Sequence, residues 1–383
     1  MTTFLDLQNS FYNALVEGLG LQGNFQIIQP SPPLLQGGGA SGNGNLWNYF
    51  DNIPPESLTQ NYISSGGNQF YSNYKGLLSA LQGQPNNFVA DVGPACNNAW
   101  NAYVANLPIS TGLNQYPGIF KHWAISHGFI GVANKGANDL AQLLLDPVSA
   151  ANLAIQPYLG DATAIPPIPS KPADWNLGYA DLVRQLHAAP SKSITTGSSH
   201  WSSNVSHTWT GGSNSGFFGL WGGSSSTSTQ SATYAGGTFT MAAAFKNVSL
   251  FSAVPGAWYD SATMGLAFNN KTGAPWVSNA QINWGNTFDP AHGNLNRFAV
   301  NLVVVNKMHI SVSSSAVFSH AAQTTINNNS GGGLWPFYSS NSSSSSTTKH
   351  TFDSQGQMTT TTDSVDGVPI VIGCTVLPIS QFV

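Results

Sequence analysis

The sequence predicts an α+β protein: a helical N-terminal part, residues 1–190, then a mainly antiparallel, sandwich-like or hairpin-rich β part, residues 191–383. Three observations carry this. Apolar residues recur at spacings of three and four before residue 190, alternate with polar ones after it, and the second part is rich in Ser, Thr and Gly.

Phe4, Leu7, Phe11, Leu15 and Leu19 form the first helical face. It reads as an ordinary core element, because its polar side lacks the Lys and Arg of membrane-surface helices. The stretch PSPPLLQGGGASGNGN (30–45) reads as loop. Phe70, Tyr74, Leu77, Leu78 and Leu81 mark a second helix, stopped by Gly83 and Pro85. Trp100, Tyr103, Val104 and Leu107 mark a third, ended by Pro108. Residues 137–156 and 174–187 read as further helices, with AIPPIPSKP (164–172) as linker between them.

From about residue 191 the period is two. HWSSNVSHTW (200–209) reads as a strand, as do Thr238–Phe245, Phe298–Val305, Met308–Phe318 and Pro369–Leu377. The β part also carries signs of an internal duplication, in units of about 195–255 and 308–378. NSGFFGLW (214–221) matches NSGGGLW (329–335), with His207 and His320 upstream of each. A Ser/Thr run follows each copy, then an apolar segment ending in proline, VSLFSAVP (248–255) or VIGCTVLP (371–378). Trp221 and Trp335, and likewise Leu220 and Leu334, are expected at equivalent places in two superposable units.

Each unit reads as a long hairpin with an apolar tip: Phe217, Phe218, Leu220 and Trp221 in one, Leu334, Trp335, Phe337 and Tyr338 in the other. Loops lie in water and are usually polar, so such tips imply an apolar surface to meet. No Asp, Glu, Lys or Arg occurs from Ser193 to Phe245 or from Met308 to Thr348. Charges normally protect strands against edge-to-edge pairing. Across the whole chain only 7% of residues are charged, against roughly 25% in an average soluble protein. A hydrophobic content of 41%, with a net charge of −4, is that of a folding chain.

A surface so poor in charge resists association weakly, which suits a homo-oligomer, a lipid bilayer or carbohydrate. Eleven Lys and Arg without a basic cluster argue against nucleic acid. In pattern the charge-free hairpins resemble the insertion hairpins of β-barrel pore-forming toxins, which implies membrane engagement. The Ser runs, however, lack the apolar alternation of a transmembrane strand. Replacing both tips by Ser and Gly is expected to abolish oligomers or liposome binding and to leave the helical part folded. Unfolding of the monomer instead would make the tips private core.

Enzymatic signatures are absent from the sequence. There is no GxSxG, P-loop, GxGxxG after a strand, CxxC or HExxH, and no cofactor is expected. Asp289 and His292, three apart in FDPAHGN, are the weak metal or acid/base candidates, with a capped turn as the structural reading. Trp258, Trp276 and Trp284 sit in loop-like contexts that could stack on sugars or belong to the core, so a carbohydrate-binding or hydrolytic protein is the rival reading. Cys96 and Cys374 read as separate buried thiols. The N-terminus has no basic region of a signal peptide, and no apolar run is long enough to cross a membrane. The expectation is a cytoplasmic protein or one exported by a non-classical route.

Overall fold

The computed structural model describes residues 16–21, 25–28, 42–54, 68–108, 111–163, 167–196, 233, 237–328 and 346–383. In chain order these form β1 (Phe25–Ile27), α1 (Gly42–Asp51), α2 (Phe70–Ser79), α3 (Phe88–Ala105), α4 (Tyr116–Ser126), α5 (Ala133–Leu143), α6 (Pro147–Leu159) and α7 (Tyr179–Ala188). Then come β2 (Lys192–Thr196), β3 (Phe239–Ser252), α8 (Ser261–Asn269), α9 (Trp284–Phe288) and β4 (Arg297–Val317). Last are α10 (His320–Asn328), β5 (Ser346–Phe352), β6 (Gln357–Ser364) and β7 (Ile370–Pro378). Helices dominate the first part and a seven-stranded antiparallel sheet the second, which is the α+β class predicted.

The periodic faces become buried faces. Phe70, Tyr74, Leu77 and Leu78 are the buried residues of α2, and Trp100 and Val104 lie inside along α3. Four expectations need correction. Helix α1 begins at Gly42, inside the stretch read as loop. The single helix expected over 137–156 is two, α5 and α6. Pro147 opens the second at its first turn, where Asp146 accepts a 2.8 Å hydrogen bond from the Ser149 N–H. Helices α8 and α9 interrupt the β part, each started by a side-chain cap, Asp260 and Asn283 respectively. The strands expected at 298–305 and 308–318 are one 21-residue strand, β4. The strand read at 200–209 lies outside the described residues, as do residues 1–15 of the first helical face.

Contacts gather the chain into two compact units. The first takes the described residues of 1–65, 177–253 and 299–376; the second takes those of 66–176, 254–298 and 377–383. The change of composition near residue 190 falls inside the first unit, between α7 and β2.

In the first unit the sheet order is β1-β7-β4-β3-β2, with β6 also on β4 and β5 on β6. Strand β4 changes character along its length. Leu302, Val303, Val304 and Val305 are all 0% exposed, covered on both faces, whereas from Met308 onward burial alternates. Phe25 on β1 pairs with Thr375 on β7 and its ring reaches over Gly373, where a side chain in place of glycine would run into it. One apolar core holds Phe25, Met241, Phe245, Val303, Ile310, Val312, Met358 and Ile372.

The second unit packs α3, α4 and α5 around Trp100, Phe120, Trp123 and Leu140. Gly136 of α5 meets the Phe120 ring and Val92, a spacing that a Cβ would close. A second aromatic cluster centres on Trp258, with Phe70, Tyr71, Tyr74, Trp175 and Tyr259 around it. Cys96 and Cys374 are both buried and unbridged.

His350, largely buried on β5 with Nδ1 3.0 Å from Thr360 Oγ1, is held neutral by desolvation, its pKa lowered from 6.5 to about 4. The folded state therefore binds fewer protons at this site than the unfolded chain. Its contribution is present above pH 6.5 and is lost as pH falls from 6.5 towards 4. Denaturation midpoints measured across that window should fall with pH, and should fall less steeply in His350→Phe.

Candidate functional site

The register of β2, β3, β4, β6 and β5 builds one continuous face from alternate residues. Thr240 pairs with Ser313, Ser313 with Thr359 and Thr359 with Thr351. The next row is Ala242, Ser311, Thr361 and Lys349. The third is Ser193, Ala244, His309, Asp363 and Thr347. These side chains are exposed or half-buried, while the intervening Met241, Ala243, Ile310, Val312 and Met358 point into the core. The two charge-free runs of the sequence thus meet: residues 193–196 lie beside 241–244, and 239–245 beside 308–314.

The face is made of hydroxyls and methyls. Ser313 Oγ and Thr359 Oγ1 share a 2.8 Å hydrogen bond. Its formal charges gather at one side, in Lys349 on β5 and Asp363, which the His309 ring meets at 2.6 Å. At ~4.8 Å between strands and ~6.8 Å between alternate residues, the three rows cover about 19 by 14 Å.

Behind the face, a polar knot sets the geometry of its strands. Asn306 of β4, 1% exposed, donates through Nδ2 to Asn247 Oδ1 and Asp366 Oδ1, each at 3.0 Å. Its Oδ1 accepts the Gly367 N–H at 2.8 Å. Asn247 Nδ2 in turn donates to the Ala189 carbonyl at 2.7 Å, just past α7. Lys246 closes the knot at 2.7 Å from Asp366, and this hydrogen bond, with that from Asn306, holds the Asp366 carboxyl below the usual range. Lys307, next in the chain, has φ +48°, a left-handed conformation rare for a side-chain-bearing residue.

The predicted site residues fall as follows. Phe217, Phe218, Leu220, Trp221, Leu334, Trp335, Phe337 and Tyr338, and His207 with them, lie outside the described residues. His320 opens α10, so the second of the two sequence repeats turns into a helix after Val317. Its Ser/Thr strand β5 pairs with β6 rather than returning along β4, so these strands do not make the simple hairpin read from the sequence. The two apolar segments that end in proline enter β3 and β7, which flank β4 on opposite sides.

Asp289 and His292 form a turn. The Asp289 carboxylate accepts the backbone N–H groups of Ala291 and His292 at 2.9 and 3.1 Å, and the His292 side chain is exposed. Among the described residues no group of three His, Cys, Asp or Glu could hold a metal ion. His122 and His127 each donate a ring N–H to a carbonyl one helical turn back, at 2.8 Å. Trp258 is 0% exposed and its indole N–H donates to the Asp174 carbonyl. Trp276 and Trp284 are half-buried, with their N–H groups spent on Asn270 and Phe268 carbonyls. Lys271 covers the Trp284 ring at 4.5 Å. Among the described residues no helix is long and apolar enough to cross a membrane.

No protein family matches the chain, and neither a curated protein nor a solved structure does.

Proposed function

We propose that this chain is a non-enzymatic, self-assembling protein whose Ser/Thr face is a contact surface for further copies of itself. The observation that supports the reading is the register, which sets the two charge-free runs side by side on one exposed face. Apart from Lys349 and Asp363 at one side, such a face lacks the charges with which soluble sheets repel their like. Its hydroxyls can exchange water for hydrogen bonds to the same rows on another copy, at small net cost.

Size sets a condition on this reading. The three rows present roughly 270 Å², about a third of the ~800 Å² per partner buried in a stable interface. The eight apolar residues of the two predicted tips supply the remaining contact in this proposal.

Thr240 and Thr361 sit on β3 and β6 with β4 between them, so two lysines there would charge the face without touching the core. In sedimentation velocity the native protein should gain mass as concentration rises. A Thr240→Lys/Thr361→Lys variant should stay monomeric, with unchanged circular dichroism. A native protein that is monomeric at every concentration would refute the proposal. If that monomer pellets with liposomes or with an insoluble polysaccharide, the contact is lipid or carbohydrate instead.

A further inference from the structure

The second unit contains a cavity of about 270 Å³ between the end of α3, the start of α4 and α6. Leu107, Leu113, Tyr116, Ala154 and Pro157 make its walls apolar. One formal charge lines it, the ammonium of Lys171. The Lys171 backbone is anchored, its N–H donating to the Pro157 carbonyl at 3.1 Å. Its Nζ donates to the Leu107 carbonyl at 3.2 Å. No carboxylate of a described residue lies within 4 Å of that Nζ.

The nearby acid is turned to other work. Asp174 is 4% exposed and is not part of the lining. Its Oδ1 accepts the Tyr158 hydroxyl at 3.0 Å, and burial raises its carboxyl above the ordinary range. An ammonium at an apolar wall without a close counter-ion is costly, and desolvation lowers the Lys171 pKa in spite of the attraction of Asp174. A ligand carboxylate would restore the missing partner through a charge-assisted hydrogen bond. Lys171 is half-buried, so solvent reaches it.

We infer that this cavity binds a small monocarboxylate with an apolar body, its carboxylate on Lys171 and its hydrocarbon against Leu107, Leu113 and Ala154. The cavity volume equals about nine water-sized volumes at ~30 Å³ each. An eight-carbon chain fits: its apolar carbons fill the cavity and its carboxylate sits at the lysine. The inference is independent of self-assembly, because every residue it uses belongs to the second unit.

Octanoate, methyl octanoate and 1-octanol, titrated calorimetrically into the full chain, test it. Octanoate should bind at least tenfold more tightly than either neutral analogue. Lys171→Met should remove that preference, Lys171→Arg should keep it, and Ala154→Phe should abolish binding by filling the cavity. No binding of octanoate to the native chain, or equal binding of octanoate and methyl octanoate, would overturn the inference. So would undiminished octanoate binding by a folded Lys171→Met protein. The ester comparison uses the native chain alone, so it decides the matter even if a variant does not fold.

Discussion

Trp258→Ala should destabilise the second unit by about 3–5 kcal/mol, the range for removing a fully buried aromatic side chain from a core. Trp258 is 0% exposed and meets five aromatic neighbours, from edge-on contact with Tyr71 at 5.1 Å to tilted contact with Phe70 at 6.2 Å. Truncation would leave a cavity that these rings could not close together, since Tyr71 and Tyr74 are also tied by hydrogen bonds to the Tyr158 carbonyl and the Asp260 N–H. The indole N–H also holds the Asp174 carbonyl at 2.9 Å, and that carbonyl takes the Gly256 N–H at 2.8 Å as well. Urea denaturation followed by far-ultraviolet circular dichroism measures the loss. Trp258→Phe, which keeps much of the ring volume but not the donor, should lose less. A cost below about 1 kcal/mol for alanine would mean that the cluster does not hold the unit together.

The second large effect is expected at Asn306. Asn306→Ala would leave Asn247 Oδ1 and the Gly367 N–H without their partner, both at hydrogen-bond distance in the native chain. Each orphaned buried polar group costs roughly 1–3 kcal/mol, so a loss of about 3 kcal/mol is expected in the same denaturation experiment. Asn306→Asp keeps the acceptor for Gly367 but sets a second carboxylate beside Asp366, and should also be destabilising, more so at pH 7 than at pH 4. The converse result, an aspartate variant as stable as the native chain at neutral pH, would show that the knot tolerates a buried charge and does not set the strand geometry.

Local signals in the chain foretold much of the fold. The helical faces through Tyr74 and Trp100 and the alternation in β3 were readable because burial follows the period of the backbone, 3.6 or two, whatever the partner. Helix α1 was hidden by its own composition. Its first turn is Gly and Asn, poor helix formers, and burial of Leu46, Tyr49 and Phe50 outweighs that weak preference. Strand β4 was split on reading because Asn306 and Lys307 interrupt its apolar run. Only its hydrogen-bonded neighbours make that polar break continuous strand.

The candidate surfaces divide in the same way. That residues 193–245 and 308–348 carry no formal charge is a property of the sequence. That their described strands lie side by side is a property of the register. Lys171 sits in a proline-rich stretch that reads as linker, and nothing local marks it; its meaning depends on Leu107 and Ala154, which are distant in the chain. Likewise Trp258 reads as a loop residue until Phe70, Tyr71 and Trp175 enclose it.

By itself, then, the sequence determined the α+β class, the faces that must be buried and the scarcity of charge, because each depends on residue type and near-neighbour spacing. Only the tertiary structure decided which uncharged strands share a face, which asparagine knots them and which lysine looks into an apolar cavity. Those depend on contacts between residues far apart in the chain, whose free energy no local pattern records.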